Sequence, residues 1–164
     1  MSIMRYKILI FTYLVNFIFI QGCNKLRENQ MINLEKSVLT DCKFLFERQN
    51  VAYLDGKIFE GICSQTSTDN KFKEFRKYKK GQKNGKQLSF FLPEETIHYI
   101  GYSMDNMIHG KFSEYFRNGN LYQKGKMFRG SYDGIWKVYS ENGDLKEKYT
   151  YSKGTLIRSN RYDK

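Results

Sequence analysis

The sequence has little of the material from which catalytic and metal sites are built. Among 164 residues there are two histidines, three cysteines and one proline. His98 and His109 lack HExxH or comparable metal-ligand spacing, there is no CxxC pair, and no Gly-x-Ser-x-Gly motif occurs. We therefore predict that the chain is not an enzyme, and that it has no metal, no cofactor and no small-molecule substrate. Both histidines are expected to be ordinary surface residues.

Long apolar runs are also scarce. The longest covers residues 8–20, thirteen residues interrupted only by Thr12 and Asn16. A membrane-spanning helix needs about 20 residues, so this run is too short to cross a bilayer comfortably. With Arg5 and Lys7 before it, residues 1–22 are typical of a secretion signal helix.

The signal ends at Ile20-Gln21-Gly22-Cys23, which resembles the bacterial lipobox, although Gln21 departs from the small residue usually found there. The resemblance implies acylation of Cys23 and cleavage before it, giving an exported, membrane-anchored lipoprotein on the periplasmic face or the cell surface. A plain signal peptide, or an uncleaved anchor with an incidental cysteine, is the alternative. Residues 23–33 would then form a polar tether, residues 34–50 a cap region, and residues 51–164 the main domain.

Glycines recur at a nearly constant spacing from residue 61 onwards. Gly61, Gly85, Gly110 and Gly134 are separated by 24, 25 and 24 residues. The unit that begins at Gly134 also repeats the tyrosine, Asn-Gly pair, leucine and second glycine of the unit that begins at Gly110. A period of this length indicates an array built from one repeated unit.

Each unit is predicted to form a β-hairpin. An aromatic run leads into Asn118-Gly119 or Asn142-Gly143, and Asn-Gly is favoured in tight hairpin turns whose two central residues both have positive φ. In the unit that begins at Gly85, residues 92–95 around Pro93 replace this turn. We predict a mainly all-β chain, an antiparallel meander of hairpins in a single sheet, with the repeat glycines at strand boundaries.

The pattern G-x-aromatic-x-x-Tyr-x-x-Asn-Gly-x-Leu resembles the bacterial variant of the MORN repeat, as found in YwqK family antitoxins. The resemblance covers roughly residues 51–157 and is clearest from Gly110 to Gly154, whereas Gln87 stands where Phe112 and Trp136 stand in later units. It implies a β-meander used for binding or scaffolding, and it carries an antitoxin label.

Cys42 and Cys63 form an even pair if Cys23 is lipidated. In an exported chain such a pair is a candidate disulfide. The alternative is that both are small buried apolar residues, as free cysteines often are.

The segment before the array has two interpretations. Apolar residues at spacings of three and four favour a short helix over residues 34–43, followed by strands. Alternatively, residues 44–46 and 51–54 form two strands around a turn at residues 48–50.

Positive charge is concentrated in residues 71–86. The chain has a formal net charge of +11, and this segment has eight basic residues against one acid, Glu74. If the segment is a strand, Lys73, Lys77 and Lys79 point to one face, and Arg76 points to the other. Such a surface suits an acidic protein or a membrane surface rather than nucleic acid, but lysine-rich strands also occur simply as solvated faces that block edge pairing.

Two functional classes follow. The first is a lipid-anchored envelope binding or scaffold protein that engages another protein, and the second is an antitoxin or immunity protein that neutralises a toxin. Aromatic residues of the sheet are candidate contacts in addition to the basic ones, because tyrosine and tryptophan are favoured at interfaces. They are Tyr99, Tyr115, Trp136 and Tyr139.

Overall fold

The structure is a computed structural model that describes residues 39–162. The signal helix, Cys23, the tether and the first part of the cap region lie outside the described residues. Within that range the chain forms fourteen strands and one 3₁₀ helix, Cys42–Phe44. The strands are β1 Leu39–Asp41, β2 Phe46–Arg48, β3 Val51–Leu54, β4 Lys57–Ile58, β5 Gly61–Thr66, β6 Phe72–Lys79, β7 Gln82–Phe91, β8 Ile97–Met104, β9 Met107–Ile108, β10 Gly110–Tyr115, β11 Leu121–Phe128, β12 Ser131–Tyr139, β13 Leu145–Ser152 and β14 Thr155–Arg161.

Eleven strands form one sheet in the order β1-β5-β6-β7-β8-β10-β11-β12-β13-β14, with the short β9 paired to β8. From β5 to β14 the neighbours are antiparallel, and only β1 joins parallel, on β5. The predicted all-β meander of hairpins is therefore confirmed. It forms because each hairpin satisfies the backbone groups of the next, which a lone hairpin in water does poorly.

A second sheet of three strands, in the order β2-β3-β4, covers the turn between β6 and β7. Ala52 N donates to Gly81 O at 2.7 Å, and Gly81 N donates to Phe59 O at 2.8 Å. Ala52, Phe59, Cys63 and Tyr78 form a buried cluster where the small sheet meets the large one. The predicted strand over residues 51–54 and the turn before it are confirmed.

The predicted short helix over residues 34–43 is wrong for the described residues 39–43. Leu39–Asp41 instead pairs in parallel with residues 62–64 of β5, and the Asp41 carboxylate accepts from Lys43 N at the start of the 3₁₀ helix. A disulfide between Cys42 and Cys63 joins the same two segments. Pairing with a strand twenty residues further on overrides the local helical spacing.

The Asn-Gly turns also differ from the prediction. At Asn118-Gly119 and Asn142-Gly143 only the glycine has positive φ, at 87° and 89°. Tyr115 pairs with Leu121, so the loop between them has five residues and contains no two-residue turn. Paired positive φ values occur at the opposite end of the hairpins, for example at Arg129-Gly130 and Lys153-Gly154.

Hydrogen bonds at these tight turns link each unit to the one before it. The donor is the N–H of the second turn residue, and the acceptor is a carbonyl 22 or 23 residues earlier. The bonds are Gly81 N to Phe59 O at 2.8 Å, Asn106 N to Lys83 O at 3.1 Å, Gly130 N to Ile108 O at 2.8 Å, and Gly154 N to Tyr132 O at 2.8 Å. The four acceptor residues are separated by the same intervals as the repeat glycines. The same hydrogen bond therefore recurs once in every sequence repeat.

The repeat glycines are not all at strand boundaries. Gly61 and Gly110 begin β5 and β10, but Gly85 and Gly134 lie inside β7 and β12 with φ of 100° and 67°. Both fall where the register with the preceding strand shifts. A bulge with positive φ favours glycine, which explains why glycine occurs at these two positions. The prediction that they lie at strand boundaries is wrong, because both lie in strand interiors.

Candidate binding surfaces

Cross-strand register assigns the side chains of the large sheet to two faces. One face carries a row that crosses seven strands, and we call this side of the sheet the aromatic face. Its row is Arg76, Gln87, Gly101, Phe112, Gly125, Trp136 and Tyr149. From Gln87 to Trp136 large residues alternate with glycines, so the ring of Phe112 lies against Gly101 and the ring of Trp136 lies on Gly125.

Trp136 is part of the packing of this face. Its side chain is 2% exposed, its ring contacts those of Tyr132 and Phe112, and its Nε1–H donates to Lys126 O at 3.0 Å. The sequence suggested Trp136 as a contact for a partner, but a buried and internally bonded indole stabilises the array instead.

Three glutamates lie on the aromatic face, and each has a side-chain partner. Glu74 pairs with Arg76 at 2.6 Å and Glu147 pairs with Arg161 at 3.1 Å. Glu114 accepts from Gln123 Nε2 at 2.6 Å and lies 3.4 Å from His98 Nε2. The hydrogen bond from His98, followed by that from Gln123, holds the pKa of Glu114 below its usual value despite partial burial.

His98 is enclosed, which corrects the expectation of an ordinary surface histidine. Its side chain is 22% exposed, and its ring centroid lies 4.5 Å from that of Phe72 and 4.6 Å from that of Phe91. Its Nδ1 lies 3.2 Å from Ser89 Oγ. With Glu114 on its other nitrogen, the ring is held from both sides.

A groove opens on the aromatic face over Gly101. Its volume is about 290 Å³. The lining residues are Glu74, Arg76, Lys83, Gln87, Tyr99, Gly101, Tyr102, Ser103, Asn106, Ile108 and Phe112. Burial, and to a smaller extent the charge of Glu74, raise the pKa of Tyr99 to about 12, so its phenol stays protonated at neutral pH. Two of the predicted contacts, Arg76 and Tyr99, meet in this groove.

The opposite side of the large sheet carries a group of lysines on β10 to β13, and we call it the lysine face. Lys111 lies directly across from Lys126, and Lys124, Lys137 and Lys148 lie across from one another on three successive strands. None of the five forms an ion pair with a carboxylate of the described residues. The ammonium group of Lys124 lies 6.0 Å from the ring centroid of Tyr139.

The lysine face also has exposed apolar area. Ile135 is 52% exposed and Tyr122 is 36% exposed. A shallow depression of about 410 Å³ lies between Lys111, Lys126 and Lys137. On β6 and β7 the same side of the sheet is apolar and buried instead of charged and exposed. Leu88 and Phe75 lie there directly across from each other, and both are buried.

The predicted basic segment includes strand β6 and divides between the two faces of the sheet, as expected for a strand. Pairing with β5 puts Lys73, Phe75 and Lys77 on one side of the sheet and Arg76 on the other. Phe75 is buried, Lys73 Nζ lies 5.6 Å from its ring centroid, and Arg76 is held by Glu74. Lys77 and Lys79 are exposed on β6. Lysines that form no ion pair with a carboxylate of residues 39–162 also lie on β10 to β13, which the density of basic residues in the sequence did not single out.

The predicted aromatic contacts are likewise divided. Tyr99 and Trp136 lie on the aromatic face, whereas Tyr139 lies on the lysine face beside Lys124. Tyr115 is half-buried at the end of its hairpin, where the register shifts. The signal that could have found the lysine face is the repeat itself, because Lys124 and Lys148 occupy the same position in successive units.

Within residues 39–162 no group of three or more histidine, cysteine, aspartate or glutamate side chains is placed to hold a metal ion. In the same range no helix has the length and apolarity needed to span a membrane.

Comparisons with known proteins agree with the repeat. The family model described as MORN repeat variant matches residues 108–128 and 132–153. No curated protein matches the chain. Among solved structures the chain is similar to the one titled "Crystal Structure of TarM", with a TM-score of 0.35 and 15% identity over 83% of this chain and 24% of that chain. The chain thus spans about a quarter of that protein, and so distant a likeness carries no weight for function.

The hairpin array and the matched units together support a protein built on MORN-type repeats. The match falls on the hairpins β10–β11 and β12–β13, where the sequence period is clearest. Such a repeat suggests a β-repeat module for protein interaction.

Proposed function

We propose that this chain is a non-catalytic, lipid-anchored envelope protein that binds an acidic protein surface through its lysine face. The observation that carries the proposal is the row of Lys124, Lys137 and Lys148, which lie directly opposite one another with no carboxylate partner among the described residues.

Such a row is unfavourable in the isolated protein. Neighbouring strands are about 4.8 Å apart, and like charges directly across a strand pair destabilise a sheet. Lysines reduce the repulsion by extending their ammonium groups into water. A carboxylate-rich surface laid over the row would replace repulsion with attraction, so binding is favoured at this place.

A protein suits this surface better than a simple polyanion. Ile135 and Tyr122 expose apolar area among the lysines, and Tyr139 lies beside Lys124. Interfaces between proteins combine an apolar centre with charges around it, and complementary charge mainly sets specificity and the rate of association. A partner with glutamates or aspartates around an apolar centre would match both features.

The lysine face is tested with two triple variants of equal charge change. Lys124, Lys137 and Lys148 are replaced by Gln in one, and Lys73, Lys77 and Lys79 in the other. Binding to immobilised poly-L-glutamate, and crosslinking to partners in intact cells, should fall in the first variant much more than in the second. Binding should also weaken with salt, because the Debye length shrinks to about 3 Å at 1 M. Equal losses in the two variants, or no dependence on salt, would contradict the proposal.

The membrane anchor is proposed from the sequence around Cys23. Several acyl chains at about 0.8 kcal/mol per buried methylene would hold the protein on a membrane almost permanently. Labelled palmitate should enter the wild-type protein and not Cys23→Ser. Incorporation by both proteins, or by neither, contradicts the anchor.

A second candidate function is that of an antitoxin or immunity protein. The same lysine face supports it, since a strongly charged inhibitor surface can capture an oppositely charged toxin quickly. In that case a neighbouring reading frame should encode a small acidic toxin, and deletion of this chain should be lethal only when that frame is present. Harmless deletion in the presence of the toxin gene would remove this candidate.

A further inference from the structure

Three successive units differ at one position of the aromatic face. Gln87, Phe112 and Trp136 stand at equivalent places, 25 and 24 residues apart. In the first and third units the side chain donates an N–H to the carbonyl ten residues earlier, from Gln87 Nε2 to Lys77 O at 3.3 Å and from Trp136 Nε1 to Lys126 O at 3.0 Å. The phenyl ring of Phe112 has no N–H to donate.

The equivalent carbonyl in the middle unit belongs to Tyr102. It accepts a hydrogen bond from His109 N at 2.8 Å. A carbonyl oxygen has two lone pairs, so Tyr102 O can accept a second hydrogen bond.

Open space adjoins this carbonyl. In the third unit the indole of Trp136 fills the slot over the glycine so tightly that a Cβ on Gly125 would lie 2.3 Å from the ring. In the middle unit a Cβ on Gly101 would lie 3.2 Å from Phe112 Cδ2, and the groove of about 290 Å³ remains. Phe112, Gly101 and Tyr102 are all among the residues that line this groove.

We propose that the groove over Gly101 is a socket for an indole ring, supplied by a tryptophan of a partner protein, whose N–H is donated to Tyr102 O. The protein itself provides the precedent, because Trp136 makes the equivalent contact within the chain. Phe112 supplies an aromatic wall for the incoming ring. Arg76 and Lys83 outnumber Glu74 in the lining, so a tryptophan with an acidic neighbour is favoured over one with a basic neighbour.

The socket is a second site, since it lies on the aromatic face and the five lysines lie on the opposite side of the sheet. It goes beyond the proposed function and can be tested separately from it. The Lys124/Lys137/Lys148→Gln variant should bind an indole probe as the wild type does.

The probe is N-acetyl-tryptophanamide, titrated into ¹⁵N-labelled protein and followed by NMR. We expect saturable shifts centred on the amides of residues 101–103 and His109. The N1-methylated probe should bind roughly fivefold more weakly, because it lacks the donor of one hydrogen bond. Absence of saturable shifts at these amides, or equal binding of the two probes, would overturn the socket.

The Phe112→Trp variant tests whether an indole supplied by the chain itself can occupy the groove over Gly101. It should place an indole in the slot as Trp136 does in the next unit, so the shifts at residues 101–103 should disappear while the protein stays folded. Tyr122→Trp adds an indole on the lysine face and should leave probe binding unchanged. If Phe112→Trp proves unfolded, Gly101→Ala provides a milder narrowing of the groove and should weaken the probe. Undiminished binding in a folded Phe112→Trp variant would contradict the proposal.

Discussion

Gly125 and Trp136 fit each other so closely that neither position can change alone. A Cβ added to Gly125 would lie 2.3 Å from Cδ2 and Cε2 of the indole. The ring is 2% exposed and its N–H is bonded to Lys126 O. The contact joins β11 to β12 at the register shift, so it locks two matched hairpins together.

Trp136→Ala should lower the free energy of unfolding by about 3–5 kcal/mol, the range for a buried large aromatic side chain. Gly125→Ala should cost about 1–3 kcal/mol, because the ring cannot leave a packed site without strain. In the Trp136→Ala background the clash is gone, and Gly125→Ala should be neutral or slightly stabilising. Urea unfolding of the four proteins of this cycle measures the coupling, and simple additivity would contradict the contact.

Gly81 holds the small sheet against the large one. Its φ is +73°, and a Cβ there would lie 2.4 Å from Val51 Cγ1 and 2.9 Å from Ala52 O. Gly130 occupies the equivalent turn with φ of +83° and nothing within 4 Å of its Cβ position. Alanine is strained by positive φ at both places, but only Gly81→Ala adds a backbone clash.

Gly81→Ala should therefore destabilise the protein more than Gly130→Ala, by an additional amount of about 1–3 kcal/mol. Chemical denaturation measures the free energy of unfolding of both variants. Because the cost of alanine at positive φ is common to both, the difference between them reports the contact of residue 81 with Val51 and Ala52. Equal free energies of unfolding for the two variants would contradict this prediction, because they would mean that the small sheet can shift away from residue 81 without loss of stability.

The sequence predicted the features that repeat and missed those that depend on distant pairing. The glycine period predicted the meander, since every unit carries the same strands and turns. Local spacing favoured a helix up to residue 43, but the pairing of β1 with β5 and the Cys42–Cys63 bridge override it. Asn118-Gly119 is a good hairpin signal, yet the register at Tyr115 and Leu121 makes the loop longer.

The candidate site was predictable only in part for the same reason. Residues 71–86 have the highest density of basic side chains, but Arg76 is paired there and Phe75 is buried. Lys124, Lys137 and Lys148 are more than ten residues apart in the chain, and only the strand register brings them together. The inference about the groove depends on Phe112 being smaller than Trp136. The size difference matters only because the structure places the two side chains at equivalent positions, over Gly101 and Gly125.

The Cys42–Cys63 bridge should stabilise the terminal part of the array. It spans 21 residues and ties β1 and the 3₁₀ helix to β5. In the chain-entropy account a loop of this length contributes about 3 kcal/mol. Cys42→Ala/Cys63→Ala should therefore melt at a lower temperature than the oxidised wild type, and dithiothreitol should lower the melting temperature of the wild type only. A thermal shift caused by dithiothreitol in the double variant would point to another cause.

Glu114 should make stability depend on pH on the acid side. Its pKa in the folded protein is lowered, mainly by the hydrogen bond from His98 and then by that from Gln123. A carboxylate whose folded pKa lies below its unfolded value, about 4.3 for glutamate, stabilises the fold above that value and loses the contribution as the pH falls through the folded pKa. The free energy of unfolding should thus decrease below about pH 4.3, and part of that decrease should disappear in Glu114→Gln.

Urea unfolding between pH 7 and pH 3 should show the Glu114→Gln variant less stable than the wild type at neutral pH and close to it at the acid end. Glu141→Gln, in an exposed hairpin loop, serves as the control and should run parallel to the wild type throughout. A constant gap between Glu114→Gln and the wild type across this range would mean that the charge of Glu114 contributes nothing and that only its shape matters.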